Sequence, residues 1–279
     1  MSPKKCRVQK FFVSNKPLNY EMVEMTLSSL FKVLKKNTRL TRRQACRLGA
    51  IFGLSFYGLG EFRTRDTVAR RRNIFEKEGS MNLPAPMLDG AVSLERAIKQ
   101  RRTIRSFVDK SLTVGQLSQI LWAAQGITDD GGLKRAAPSG GALYPIDLYA
   151  VVGKNGVREL APGIYHYDPI RHSIQKIADT DAREDVAVAS LRQMWMATAP
   201  VILVLTAEYR RITIKYGERG KRYAMIEIGH IGQNIFLQCQ AIGLSAGIAG
   251  AFYDKEVARA INCQKDHEPL IIMPVGWER

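Results

Sequence analysis

Hydrophobic positions follow a regular order of helical and strand-like patterns only from Ser93 onward. Helices are predicted after Ser93 and Thr113, because Ser and Thr side chains accept hydrogen bonds from the first backbone N–H groups of a helix. A long apolar helix is predicted over 224–241, before Gly243, a residue suited to a left-handed helix end. Further helices are predicted over 181–197 and from 254, and strands over 148–152, 165–167, 173–177, 201–206, 246–252 and 270–275. This alternation predicts one α+β or α/β domain over 90–279.

The first 89 residues have a different pattern and are predicted to form a basic extension before that domain. A helical pattern over 21–36 leads to Arg42-Arg43 and then to an apolar stretch over 48–59, which is too short to span a bilayer. Paired arginines before a weakly apolar stretch resemble a twin-arginine export signal. An amphipathic basic extension is the alternative. Residues 83–86, Leu-Pro-Ala-Pro, predict an extended linker, since proline disfavours helix in the residue before it.

The net charge of +16 is concentrated in the N-terminal third of the chain. Residues 1–89 hold 18 Lys and Arg against 7 Asp and Glu, or +11, whereas residues 90–279 hold 24 against 19, or +5. A basic chain can bind nucleic acid or an anionic surface, so a scaffold that binds either is one hypothesis of function. The larger segment has no stripe of interleaved aromatic and basic residues. We therefore expect it to bind a small anionic ligand, and we expect no nucleic acid partner.

The four cysteines lie far apart in the chain and form no CxxC pair. They predict neither a disulfide framework nor a zinc site, and no metal is expected. Free thiols favour a reducing compartment, so a cytoplasmic location is the first expectation. Twin-arginine export, or membrane association through residues 38–60, is the alternative.

The densest cationic motif directly follows the first predicted helix of the domain. It reads Arg101-Arg102-Thr103-Ile104-Arg105. In an extended chain the side chains of residues 101, 103 and 105 share one face, so two guanidinium groups and a hydroxyl point the same way. Such a face suits a phosphate, which arginine can bind with two hydrogen bonds. Solvent-exposed surface arginines are the alternative.

Two further motifs combine glycines with polar side chains. Pro138-Ser139-Gly140-Gly141 precedes a predicted strand, and its glycines let backbone N–H groups approach a ligand; a tight turn without a ligand is the alternative. Residues 227–234 of the long helix, Glu-Ile-Gly-His-Ile-Gly-Gln-Asn, place polar groups among apolar ones, and these groups need buried partners. His230 is interpreted as a core histidine rather than a catalyst.

The order and spacing of these motifs resemble the nitroreductase-like flavin oxidoreductases, and specifically the SagB-type branch that contains the azoline dehydrogenases of thiazole and oxazole peptide biosynthesis. The similar segments cover about two thirds of the chain and are the following: 93–97, 101–107, 112–128, 137–152, 163–169, 215–223, 227–234, 243–244, 268–270 and 274–276.

The resemblance implies an α+β fold with a central, mostly antiparallel sheet flanked by helices, and a homodimer with FMN bound between the subunits. The family's Arg-x-Ser-x-Arg element, which holds the flavin phosphate and ribityl chain, corresponds to Arg101, Thr103 and Arg105, with Arg102 inside the same run. Its Pro-Ser-x-Gly loop corresponds to Pro138, Ser139, Gly140 and Gly141. By position, Gly247, Ala249 and Gly250 would approach the flavin from its other side.

Within the azoline dehydrogenases a Lys-Tyr pair is associated with proton handling, and Lys215-Tyr216 corresponds to it here. Dehydrogenation of an azoline ring needs a base for one C–H proton and a flavin for the hydride. The resemblance therefore predicts an FMN-dependent oxidoreductase with a small-molecule or peptide substrate, and these two residues as the catalytic pair. An azoline dehydrogenase, which normally works beside a cyclodehydratase, is the narrower alternative. A scaffold within a modification complex, with or without flavin, is a third.

Overall fold

The structure is a computed structural model that describes residues 79–279. The predictions for the paired arginines, for the apolar stretch over 48–59 and for the rest of residues 1–78 lie outside the described residues. The described part contains eight strands and six helices, together with short 3-10 turns at Gly140–Ala142 and Met194–Thr198. In chain order the elements are β1 (Ser80–Asn82), α1 (Leu94–Gln100), β2 (Phe107–Val108), α2 (Val114–Gln125), β3 (Ile146–Val152), β4 (Gly163–Asp168), β5 (Ser173–Ala178), α3 (Arg183–Ala189), β6 (Val201–Ala207), α4 (Arg210–Tyr216), α5 (Arg219–Ala241), β7 (Ser245–Ala246), α6 (Asp254–Ala260) and β8 (Glu268–Glu278).

One antiparallel sheet forms the centre of the described part. The strand order is β1-β5-β4-β3-β6-β8-β2, and β7 pairs with β8 outside this path. Every strand pair is antiparallel. The predicted α+β class with a mostly antiparallel sheet is therefore confirmed.

Helices cover both faces of this sheet because its central strands are apolar on both sides. All seven residues of β6 are buried. Alternate residues of β3 and β6 belong to two separate cores. On one face Leu148 and Leu203 pack with residues of α2 and α5, and on the other Val151 and Val204 pack with residues of α3 and α6. This double burial explains why the two strands are nearly continuous hydrophobic runs.

The two predicted helix starts in the first part of the domain are confirmed in detail. The Ser93 hydroxyl accepts a hydrogen bond from the backbone N–H of Arg96. Thr113 and Gln116 form a reciprocal capping box, in which each side chain accepts a hydrogen bond from the other residue's backbone N–H. These caps fix where α1 and α2 begin.

Residues 83–86, predicted as a linker, lie against the folded domain. β1 pairs with β5, the Leu83 N–H donates to the carbonyl of His172 at 2.9 Å, and Leu83 is only 8% exposed within the core. The Pro84 carbonyl accepts a hydrogen bond from the Ser118 hydroxyl at 2.6 Å. The linker interpretation is therefore wrong for these residues: proline prevents helix, but an extended segment can still pair and pack. The division of the chain at residue 89 stays a prediction.

Two other elements differ from the sequence predictions. The helix predicted over 181–197 ends at Ala189, whose carbonyl accepts from the N–H of Tyr253. Leu191 and Arg192 then adopt left-handed backbone angles, with φ of 55° and 56°. The strand predicted over 246–252 is reduced to β7 and a bridge at Ala249. In both places tertiary contacts determine the element's length.

None of the helices in the described part is long and apolar enough to cross a membrane.

The contacts of Leu83 predict that the segment before α1 contributes to stability. Leu83→Ala in the full chain should lower the free energy of unfolding by about 2–3 kcal/mol, because it removes a buried side chain from the core. Denaturant unfolding of Leu88→Ala is the matched control, since Leu88 is 78% exposed. Equal midpoints for the two variants would contradict the placement of this segment.

Candidate functional site

The Arg101–Arg105 segment pairs with residue 246 as extended chain, which is the conformation that the shared face of residues 101, 103 and 105 requires. Thr103 forms a parallel bridge with Ala246, and the Ile104 N–H donates to the Ala246 carbonyl at 3.0 Å. This pairing places the cationic segment directly beside residues 247–250. Two of the predicted site segments are thus neighbours.

The three arginines of this segment have different surroundings. The Arg101 guanidinium lies 5.1 Å from the ring centre of Phe236, and that of Arg105 lies 5.8 Å from the ring of Trp195, both within the range of cation–π attraction. Arg102 donates from Nη1 to the carbonyls of Lys99 and Arg101 at 3.0 and 2.8 Å. Within the described residues none of the three has a carboxylate oxygen within 4.0 Å. The Arg102 guanidinium is thus hydrogen-bonded to backbone carbonyls at the end of α1. The guanidinium groups of Arg101 and Arg105 still have N–H groups that can bind an anion.

Residues 247–250 connect this segment to the sheet. A Cβ on Gly247 would lie 2.6 Å from the Ile104 carbonyl oxygen and 2.7 Å from Trp195, so the close approach of the two segments requires glycine there. Ala249 exchanges two backbone hydrogen bonds of 2.9 Å with Ile272 and is buried. Gly250 has no atom within 4 Å of the position of a Cβ. Of these three positions, only Gly250 has open space where a side chain would lie.

The Pro138–Gly141 loop is a tight turn closed by its own serine. The Ser139 hydroxyl accepts a hydrogen bond from the Tyr144 N–H at 2.9 Å. Gly141 has a φ of +64°, in the left-handed region. Ala142 and Tyr144 also have positive φ angles, which are uncommon for residues with a side chain. The loop is therefore held in a strained shape between α2 and β3.

The Lys215-Tyr216 pair meets this loop at Gly141. A Cβ on Gly141 would lie 2.6 Å from the Tyr216 hydroxyl oxygen and 3.0 Å from Lys215 Nζ. Tyr216 packs edge-on against Tyr223, with ring centres 5.1 Å apart. The pair lies in the last turn of α4 and not in a loop. The structure thus brings together a glycine loop, an ammonium group and a phenol that are separated by about 75 residues of sequence.

An ion pair fixes the position of α4. Arg211 lies 2.6 Å from Asp147 Oδ2, and it also pairs with Glu208 and donates to the Tyr144 carbonyl. Burial alone would raise the pKa of Asp147, but the hydrogen bond from His166 and the charge of Arg211 outweigh it and hold that pKa below its usual value. Asp147 is therefore ionised and ties α4 to β3.

Residues of α5 form the wall behind the loop. Glu227 is 1% exposed, and Gln125 Nε2 donates to its Oε1 at 3.1 Å. A cavity of about 170 Å³ opens between Pro138–Gly140 and α5, and Tyr223, Glu227 and His230 line it. His230 is exposed, so its interpretation as a core histidine is wrong. The sequence motif showed that Glu227 needs a buried partner, but it gave no signal that Tyr223 and His230 face a cavity.

The predicted site residues therefore form two groups within one chain. The first group contains Arg101–Arg105 and Gly247–Gly250 and touches α5 at Phe236. The second contains Pro138–Gly141 and the Lys215-Tyr216 pair and touches α5 near Glu227. Nine residues of helix separate these two points, or about 14 Å.

The antiparallel sheet with helices on both faces is the fold of the nitroreductase family, and the comparison with known proteins agrees. The Nitroreductase family model matches residues 98–277, more than half of the chain. The chain belongs to the nitroreductase family.

Three relatives illustrate its range. The chain is 40% identical to the nitroreductase-family protein MJ1384 of Methanocaldococcus jannaschii, over 71% of this chain and 96% of that protein. It is 29% identical to the microcin B17-processing protein McbC of Escherichia coli, over 61% and 65% of the two chains. A nitroreductase structure from Ralstonia eutropha superposes with a TM-score of 0.63 and 27% identity, over 74% of this chain and 92% of that one.

The fold of this chain also matches that of the E. coli microcin synthetase complex McbBCD, whose structure holds truncated pro-MccB17. The TM-score is 0.56 at 23% identity, and the match covers 75% of this chain and 80% of the other.

The contact of Gly141 with the Lys-Tyr pair predicts that this glycine is required. Gly141→Ala should lower the free energy of unfolding by about 1–2 kcal/mol, because alanine is strained at positive φ and its Cβ would displace the Tyr216 hydroxyl. Thermal unfolding measures the change. Gly115→Ala is the matched control, since a Cβ there meets only Thr113 Oγ1 at an ordinary 3.8 Å. A Gly141→Ala variant as stable as this control would argue against the turn geometry.

Proposed function

We propose that the chain is an FMN-dependent oxidoreductase that transfers a hydride between the flavin and a small-molecule or peptide substrate. Membership of the nitroreductase family supports the reaction class. The main support for the proposal is that Lys215 Nζ and the Tyr216 hydroxyl lie next to the turn at Gly141. A flat ring against this glycine turn would have a cation and a hydroxyl beside it.

The chemistry of the residues present and their positions in the fold both suit FMN. Arg101 and Arg105 have no carboxylate partner among the described residues, and each can donate two parallel hydrogen bonds to a phosphate. Thr103 adds a hydroxyl, and Arg102 adds charge from the end of α1. Pro138–Gly141 and the open position at Gly250 provide surfaces without bulky side chains. The bound flavin would supply the site that accepts or releases the hydride.

We propose further that the site is completed by a homodimer. Met225 and Ile226 are 48% and 49% exposed on α5, and Gly229 on the same helix has no atom near its Cβ position. An exposed apolar helix face with an open glycine lets a second helix approach closely. The arginine group of one subunit and the glycine loop of the other would then hold one FMN. Sedimentation of the flavin-loaded protein as a monomer would contradict this arrangement.

Lys215 and Tyr216 are proposed to handle the proton that accompanies hydride transfer. Lys215 lies in the exposed last turn of α4, while the Tyr216 ring is held against Tyr223. For a dehydrogenation one of these two groups must first lose its own proton. The neutral Lys215 amine or the Tyr216 phenolate would then take the substrate C–H proton, and the hydride of the neighbouring atom would go to the flavin. The Asp147–Arg211 ion pair holds their helix in place during this transfer.

An azoline dehydrogenase is the more specific candidate, and the similarity to McbC favours it. McbC processes microcin B17, and the matching McbBCD structure contains a truncated precursor peptide. By analogy, the substrate of this chain would be a thiazoline or oxazoline ring in a modified peptide, and a cyclodehydratase would supply that ring.

Flavin binding tests the cofactor part of the proposal. Arg101→Ala and Arg105→Ala should each weaken FMN binding about ten- to a hundredfold, since a hydrogen bond to a charged group contributes about 1.5–3 kcal/mol. Titration of flavin fluorescence gives the dissociation constants. Arg96→Ala, a change at an exposed arginine of α1, should bind as the wild type does. Unaltered affinity in both test variants would refute this phosphate site.

Rapid kinetics test the catalytic pair. Lys215→Ala and Tyr216→Phe should slow flavin reduction by a thiazoline-containing peptide about a hundredfold, because general-base catalysis typically contributes factors of this size. Reduction by dithionite, which needs no proton removal from carbon, should keep its rate. Lys221→Ala serves as the control for loss of a nearby exposed lysine. If both variants reduce their flavin with the peptide at the wild-type rate, the pair does not handle the proton.

A further inference from the structure

The two arginines of the proposed phosphate site both lie beside aromatic rings. The Arg101 guanidinium is 5.1 Å from the ring centre of Phe236, and the Arg105 guanidinium is 5.8 Å from that of Trp195. Among the described residues neither guanidinium has a carboxylate oxygen within 4.0 Å. Arg102, which lies between them in the chain, is held by backbone carbonyls instead. The contact with a ring thus distinguishes the outer two arginines of the run from the middle one.

The two rings are fixed by packing in different cores. Phe236 is a residue of α5, is only 7% exposed and packs on the face of the sheet that α2 and α5 cover. Trp195 lies in the 3-10 turn Met194–Thr198 and packs against the core on the other face. Because each ring is held by its own core, it can orient a flexible arginine side chain that lies against it.

Gly247 provides the space for the Trp195 ring. A Cβ at this position would lie 2.7 Å from the ring and 2.6 Å from the carbonyl oxygen of Ile104, the residue before Arg105. A side chain at residue 247 would therefore push the ring away from the cationic segment. This glycine determines the position of the ring beside Arg105.

An aromatic ring can orient an arginine without occupying its hydrogen-bonding groups. Cation–π attraction acts between the guanidinium and the face of the ring. A carboxylate, in contrast, would bind the same N–H groups that a phosphate needs. An arginine that is already oriented also loses less side-chain entropy when it binds a ligand. Contact with a ring therefore prepares phosphate binding, whereas an ion pair would compete with it.

We infer that Trp195 and Phe236 are positioning residues of the phosphate site, and that their rings orient the guanidinium groups of Arg105 and Arg101 before FMN binds. The inference rests on the proposed function and deepens it, because it names the residues that prepare the two arginines for a flavin with a phosphate. Both rings act through the arginines and not by contact with the phosphate.

Titrations of the full chain with FMN and riboflavin test this role. The two probes share the ring system and the ribityl chain, and only FMN carries the phosphate. Trp195→Leu should weaken FMN binding about three- to tenfold, the cost of immobilising one side chain on binding, and should leave riboflavin affinity within about twofold of the wild type. Trp195→Phe keeps a ring and should bind FMN within about twofold of the wild type. A ring with only a structural role would change the affinities for both probes alike.

Trp277→Leu is the matched control for the loss of a tryptophan. The Trp277 ring also contacts a cation, the ammonium group of Lys110 at 3.5 Å, and neither residue belongs to the proposed site. The ratio of FMN affinity to riboflavin affinity should therefore stay at the wild-type value in this variant.

Double variants test whether each ring acts through its own arginine. In an Arg105→Ala background, Trp195→Leu should no longer weaken FMN binding. In an Arg101→Ala background, Phe236→Leu should likewise lose its effect. The crossed pairs of ring and arginine should keep most of the effect, because each guanidinium lies against a different ring. An equal effect of Trp195→Leu in the wild-type and Arg105→Ala backgrounds would overturn the inference.

The outcomes separate this inference from the proposed function. A wild-type protein that binds no flavin refutes both. FMN binding that depends on Arg101 and Arg105 but is unchanged in Trp195→Leu and Phe236→Leu overturns only the role of the rings. Equal losses for FMN and riboflavin in Trp195→Leu also overturn it. If Trp195→Leu does not fold, Trp195→Met, which fills the space without a ring, takes its place in every measurement.

Discussion

The described structure depends on the burial of one side of α5 against the sheet. Ile231, Ile235 and Cys239 on this side are fully buried. Gly232 lets the helix approach the sheet closely, since a Cβ there would already lie 3.3 Å from Ile271 Cδ1. Truncating one such isoleucine to alanine typically costs about 2–5 kcal/mol. Because the same helix carries Tyr223, Glu227 and Phe236, its packing sets the positions of both groups of site residues.

The sequence predicts the elements that depend on local signals. The caps at Ser93 and Thr113, the strands β4 and β5, and the apolar strand β6 were all predictable, because each has a local residue pattern typical of its structure. The early end of α3 was not, since the N–H that occupies its last carbonyl comes from Tyr253, more than sixty residues away in the chain.

The candidate site was predictable as a set of residues but not as an arrangement. Family resemblance named the two arginines, the glycine loop and the Lys-Tyr pair. The sequence did not show that Lys215 and Tyr216 end a helix, because that helix is held by the ion pair of Arg211 with Asp147 on the central strand β3. The hydrogen-bond partner of Glu227 was also hidden, since it is Gln125 of α2, which in turn accepts from Arg135 in the loop after that helix.

The strand order has a consequence for association with other chains. In the described part, the outer edge of β5 is covered by the three residues of β1, and that of β8 by β2, β7 and the bridge at Ala249. The outermost strands, β1 and β2, are only three and two residues long, so each outer edge offers an incoming strand a short run of backbone. Edge-to-edge aggregation is disfavoured for this reason.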